Sequence, residues 1–157
     1  MSKERIFGLF MAVLCALCLA PRASAETAEP ELASEAAILM DAGTGQVLYE
    51  KNAWTRMYPA SITKVLTGLL ALENLESTDI LTVSPSAVSL VPRTSSHISL
   101  QPGEMLTAAD AMYALAISSA NDAAVVLAEG VSGSVEAFST RMNEAARACG
   151  ALNSNFV

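Results

Sequence analysis

One histidine, His97, is all that the sequence holds. This excludes His-rich metal clusters, and also the H-E-x-x-H pair of a zinc peptidase, which needs two imidazoles on one helix face. A Ser-His-Asp arrangement lacks its usual setting as well. No G-x-S-x-G elbow is present, and Gly130-Val131-Ser132-Gly133 reads as a turn. His97 therefore reads as a surface or strand-end residue. Cysteine is almost as scarce. Cys15 and Cys18 lie in an apolar N-terminal stretch, which leaves Cys149 without a partner for an internal disulfide and reading as a small core residue. There is no phosphate loop, internal repeat or low-complexity tract. Cations are few: 9 Lys and Arg against 16 Asp and Glu give a net charge of −7. So acidic a chain offers no electrostatic footprint for nucleic acid.

The 157 residues suit one domain of ordinary size. The first 25 residues have the pattern of a secretory signal peptide. Lys3 and Arg5 make a positive start, Ile6 to Ala20 an apolar stretch, and Ala23-Ser24-Ala25 an A-x-A cleavage site. That stretch is shorter than the roughly 20 residues that span a bilayer. A lipoprotein start does not fit, because Leu14 and Leu17 precede the two cysteines where a small residue is expected. Cleavage before Glu26 would remove three cations and one carboxylate, taking the net charge to −9. The expected product is an exported, extracytoplasmic protein, with residues 26–34 as an acidic spacer and a catalytic domain beginning at residue 35.

Along that domain, "AAILMDAGTGQVLYEKNA" places two apolar runs around Gly43-Thr44-Gly45 and reads as a β-hairpin. "PASITKVLTGLLALEN" reads as a helix, with Ile62, Val65, Leu66, Leu69 and Leu70 on one face. Gly68 inside it costs about 1 kcal/mol against alanine, so something must pack closely there. "ILTV" and "HISL" are strand-like. Thr107-Ala108-Ala109-Asp110 has the form of a capping box opening a helix to about Ile117. "SSAND" breaks that helix. Asn121 or Asp122 is expected to cap the next one, which Gly130 should end. A last helix from Ser134 would carry Val135, Phe138, Met142, Ala145 and Cys149 on one face and stop at Gly150. The terminal "SNFV" looks like the start of another extended segment. The layout is α+β: an antiparallel sheet beside a mostly helical lobe.

Ser61 and Lys64 carry the chemistry. Three residues apart on a helix they share a face, so the amine can reach the hydroxyl. A helix N-terminus disfavours a cation. That position and desolvation together favour the neutral amine, which could take the proton of Ser61. A free backbone N–H at the same terminus could then stabilise an oxyanion. Ser119-Ala120-Asn121 lies in a helix break, where side chains reach the edge of a lobe. Each triplet has an ordinary structural explanation as well, the first as a cap beside a solvated lysine and the second as a turn.

Taken with the long stretches around them, these motifs give the chain a close resemblance to the D-alanyl-D-alanine carboxypeptidases. These are low-molecular-mass penicillin-binding proteins of a serine peptidase family that shares its fold with the active-site-serine β-lactamases. The resemblance covers residues 36–157 and runs through "AAILMDAGTGQVLYEKNA", "PASITKVLTGLLALE", "ISLQPGEMLTAADAMYALAISSANDAAVVLAEG" and "VEAFSTRMNEAARACGALNSNFV". It implies a serine β-lactamase/DD-peptidase-like fold in which Ser61 is the acylated nucleophile and Lys64 its base. Ser119 would relay a proton to the leaving D-alanine, and Asn121 would hold Lys64 and a substrate amide. The implied partners are peptidoglycan stem peptides ending in D-Ala-D-Ala, with β-lactams as inhibitors and with neither cofactor nor metal.

The family also carries a Lys-Thr-Gly motif on a later strand, and no lysine follows Lys64 here. The resemblance thus implies an N-terminal part of a longer catalytic domain, incomplete at the C-terminus and inactive alone. Any membrane tether would belong to the missing region. A β-lactamase, and a non-catalytic wall-binding protein lacking the third motif, are the competing readings.

Overall fold

The computed structural model describes residues 30–157. The expected signal peptide, residues 1–25, and the start of the acidic spacer, residues 26–29, lie outside the described residues. Contacts divide the chain after Arg56 into two compact units.

In the first unit, β1 (Ala37–Met40) and β2 (Val47–Lys51) form the expected antiparallel hairpin, with Ala37 opposite Lys51 and Leu39 opposite Tyr49. The Asp41 carboxylate builds the turn by accepting from the backbone N–H of Thr44 at 2.7 Å and from its hydroxyl at 2.6 Å. These two bonds stabilise the charged carboxylate and hold its pKa below the ordinary aspartate value. Gly45 closes the turn at φ +73, a conformation that an L side chain rarely adopts. Lys51 Nζ donates to the carbonyls of Leu32 and Ser34, at 2.8 and 2.7 Å, tying the preceding segment to β2.

The second unit is mostly helical. A 3-10 turn (Ala60–Ile62) leads into α1 (Thr63–Asn74). A two-stranded antiparallel ribbon, β3 (Ile80–Thr82) with β4 (Met105–Thr107), brackets the short helix α2 (Pro85–Ser89) in sequence. Three longer helices follow: α3 (Ala108–Ser118), α4 (Asn121–Ser132) and α5 (Val135–Ala148). Helix α4 is the shared wall. Val126 and Leu127 pack into one apolar cluster with Val83, Ala111 and Leu115, while Ala128 packs into a second with Leu70, Phe138 and Met142. Among the described residues no helix is long and apolar enough to cross a membrane.

The expected capping box at Thr107 is present in part: its hydroxyl accepts the Asp110 N–H at 3.1 Å and donates to the Asp110 carboxylate at 2.6 Å. Gly68 has the close packing that its cost implied. A Cβ there would lie 3.3 Å from Met112 Cε and 3.5 Å from Leu115 Cδ2, so its absence lets α1 and α3 approach.

Several elements differ from the sequence expectation. "HISL" forms no strand, because the Asp122 carboxylate rather than a neighbouring strand takes the N–H groups of Ile98 and Leu100. Helix α4 is preceded by Ala120 with no side-chain cap, and it runs past Gly130 to end at Gly133, φ +79. Gly130 is instead a packing position, where a Cβ would lie 2.7 Å from Leu81 Cδ2. On α1 the buried face is Thr67, Gly68, Leu70 and Ala71, whereas Ile62 and Val65 are each 73% exposed.

On α5 the buried residues are Phe138, Met142 and Ala146, at i, i+4 and i+8. Cys149 falls beyond the helix end and is exposed, not a core residue. Helix α2 escapes the sequence reading, although Ser84 caps it and Pro85 opens it, a standard start signal. "SNFV" pairs with no strand. The Asn143 side chain takes that role, donating to the Phe156 carbonyl at 2.8 Å and accepting its N–H at 2.9 Å.

Candidate active site

The turn that carries Ser61 is held in an unfavourable backbone. Ala60, immediately before it, has φ +48, a left-handed conformation costing a non-glycine residue about 1–2 kcal/mol. Pro59 precedes it at φ −74, and its carbonyl accepts the Ile62 N–H at 3.1 Å. Ser61 thus lies in the 3-10 turn and Lys64 in the first turn of α1. In 3-10 geometry side chains three apart nearly eclipse, which favours their meeting. The Lys64 Nζ stands 3.4 Å from Ser61 Oγ. Burial of Lys64 disfavours its ammonium form and lowers its pKa.

Ser119 arrives from the other side. It terminates α3 in a left-handed conformation, φ +53 and ψ 35, again without being glycine. Its hydroxyl donates to Ser61 Oγ at 2.9 Å. Of the four non-glycine residues with positive φ among the described residues, Asn52, Ala60, Ser99 and Ser119, two lie at or beside the Ser61 and Ser119 hydroxyls. Asn121 begins α4, and its backbone N–H is held by the Ser96 carbonyl at 2.9 Å. Among the described residues its side-chain amide makes no hydrogen bond to Ser61, Lys64 or Ser119. Three of the four expected site residues are therefore joined in one network, and Asn121 lies outside it, its backbone bonded to Ser96.

The network opens into a cleft of about 530 Å³ between α1 and α3. Ser61, Lys64 and Ser119 form its polar end, and Gly68, Leu72 and Met112 line its apolar length. His97 stays outside this cleft and is exposed, as expected of a surface histidine; its Nδ1 accepts the Ser99 N–H at 3.1 Å. Among the described residues no group of three or more His, Cys, Asp or Glu side chains could hold a metal ion.

The sequence model of the D-alanyl-D-alanine carboxypeptidases matches residues 23–157. The chain belongs to that family. Among relatives of this carboxypeptidase-family chain is D-alanyl-D-alanine carboxypeptidase DacF of Bacillus subtilis. It is 38% identical over 163 aligned positions, covering 98% of this chain and 41% of the relative. DacC of Escherichia coli is 37% identical, over 85% of this chain and 36% of the relative. The crystal structure of DacD from Francisella tularensis superposes with a TM-score of 0.74 at 32% identity, covering 83% of this chain and 32% of that one. The fold is thus that of the DD-peptidases and serine β-lactamases, α+β as expected, and the chain spans about two-fifths of the length of the curated relatives it matches.

One residue beside this carboxypeptidase-family site escapes the sequence reading. Asp122 reads there as a candidate helix cap, yet the residue is 3% exposed and its carboxylate accepts from residues of another segment. The available signal is a lone acid between Asn121 and a run of small apolar residues.

Proposed function

We propose that this chain carries the nucleophile, base and proton relay of a serine-type D-Ala-D-Ala carboxypeptidase acting on peptidoglycan stem peptides outside the cytoplasm. The observation that carries the reading is the three-residue network. Ser61 Oγ is within reach of an amine whose charged form is disfavoured, and of a second hydroxyl facing the cleft.

In this mechanism neutral Lys64 takes the Ser61 proton as Oγ attacks the carbonyl carbon of the penultimate D-alanine. The backbone N–H at Ser61, in a first turn whose donors lack intrahelical partners, faces the developing oxyanion. As the C–N bond breaks, Ser119 gives its proton to the leaving amine and takes in exchange the one that Lys64 holds, and D-alanine departs. Water then attacks the ester, frees the shortened stem and restores the Ser61 hydroxyl. Asn121 is assigned to the substrate amide and to Lys64, which requires its side chain to turn toward the cleft when substrate binds. A β-lactam would imitate the dipeptide and remain attached to Ser61.

For the N-terminal region the reading assigns residues 1–25 to a signal peptide removed before Glu26, residues 26–34 to a spacer, and residues 35–157 to the catalytic domain. The deciding experiment is covalent labelling by a fluorescent penicillin. In the protein completed by the family's Lys-Thr-Gly region, the wild type should be labelled and Ser61→Ala should not. Equal labelling of both would remove Ser61 from its role.

A further inference from the structure

Asp122 is a buried carboxylate that the mechanism above does not use. Its Oδ2 accepts the Leu100 N–H at 3.0 Å, its Oδ1 accepts the Ala123 N–H at 3.0 Å, and the Ile98 N–H is shared between both oxygens at 3.2 Å. One step away, the Asn121 N–H donates to the Ser96 carbonyl at 2.9 Å. Residues 96–100 are therefore laced to the start of α4 in both directions, by donors given to Asp122 and by an acceptor offered to Asn121. That lacing takes the place of the strand pairing that "HISL" lacks. It also fixes the two residues following Ser119, which sits in a left-handed conformation that its own sequence does not favour. The Ser119 and Ala120 N–H groups both reach back to the Ala114 carbonyl, the second at 3.2 Å, so the turn is tied to the end of α3 while the Asp122 contacts tie it to the start of α4.

We propose that Asp122 is a positioning residue of the candidate active site, holding the helix break so that Ser119 faces Ser61 and Asn121 stays at the start of α4. The proposal deepens the carboxypeptidase reading and rests on it for the reaction, but not for the geometry. A carboxylate suits this place because it offers acceptors only, to three converging N–H groups. An amide cannot replace it. Whichever way the side chain introduced by Asp122→Asn were turned, its NH₂ would face the N–H of either Leu100 or Ala123.

Amide hydrogen exchange tests the geometry whether or not the protein is active. In the wild type, Ile98, Leu100 and Asn121 should open together, with similar protection. Exchange at Asn121 far faster than at the other two would overturn the proposal without any variant. In Asp122→Asn, protection at Asn121 should fall by about 5–10-fold, the share of one hydrogen bond, although Asn121 does not touch the carboxylate. Loss confined to Leu100, Ile98 and Ala123 would overturn it.

Acylation by fluorescent penicillin, expressed per folded molecule well below the melting temperature, tests the consequence. Asp122→Asn should acylate about 10²-fold more slowly, as expected when a reacting group is misplaced by about an ångström. Met142→Ala, which weakens the second apolar cluster away from the cleft, should lower the melting temperature and leave acylation unchanged. If Asp122→Asn matches Met142→Ala in both readouts, Asp122 is only structural. Should the wild type completed by the Lys-Thr-Gly region resist labelling, the carboxypeptidase reading fails and the exchange result still decides the role of Asp122.

Discussion

Replacing Lys64 by arginine separates a base from a mere positive charge. Arginine keeps the cation, a long side chain and a comparable helix propensity, so α1 should form normally. It cannot, however, lose its proton at any pH a folded protein tolerates. In the structure Lys64 Nζ is 3.4 Å from Ser61 Oγ, close enough for transfer after a small tightening, and burial already lowers its pKa. General base catalysis contributes about 10²–10⁴-fold, so Lys64→Arg should slow acylation of Ser61 by that factor. In barrier terms this is roughly 3–5 kcal/mol.

The pH dependence supplies the sign. With a lysine base, acylation rises as pH approaches the lowered pKa from below, because only the neutral amine accepts a proton. The arginine variant should lose that rising limb. Stability moves the same way. The unfolded chain holds the Lys64 proton more tightly than the folded one, so burial of the ammonium weakens the fold below the folded pKa. That weakening fades as pH rises toward the ordinary lysine value. Stopped-flow labelling with fluorescent penicillin across pH, on both proteins, measures the rate directly. Near wild-type acylation by Lys64→Arg, with the limb intact, would refute the assignment of Lys64 as base.

Gly130→Val should destabilise the helical unit by about 1–3 kcal/mol, since its Cβ would fall 2.7 Å from Leu81 Cδ2, on a side chain only 7% exposed. An unchanged urea midpoint would show that Leu81 yields freely. If residues 1–25 are a signal peptide, as proposed, the mature protein should begin at Glu26, and N-terminal sequencing that finds Met1 or Ser2 would contradict cleavage after Ala25.

The hairpin and the longer helices were legible because each depends on local pattern: alternating apolar runs about Gly43-Thr44-Gly45, a capping Thr107, a capping Ser134. The Ser61–Lys64 contact was legible for the same reason, being set by spacing within one turn. Ser119 beside Ser61 was not derivable from spacing; 58 residues separate them, and only the family resemblance brought them together. Asp122 is easily misread because a local cap and a long-range acceptor look identical in sequence, and the partners Ile98 and Leu100 lie on a segment that reads as a strand. Gly130 misleads similarly. Glycine ends helices at exposed termini, but here it admits Leu81 to the face of α4. Cys149 looks like core through its spacing from Ala145, and the helix simply ends before it.

Helix α4 touches both apolar clusters along its length, and it begins two residues after Ser119. Neither cluster can melt without removing a wall from the other, which makes the helical unit one cooperative block. Heat would then act on this unit as a switch rather than a dial. A warmed sample would contain fully folded molecules beside unfolded ones, and its residual folded signal would count survivors instead of measuring wear. Preparations that have lost half their folded signal should show native hydrogen-exchange protection in the half that remains.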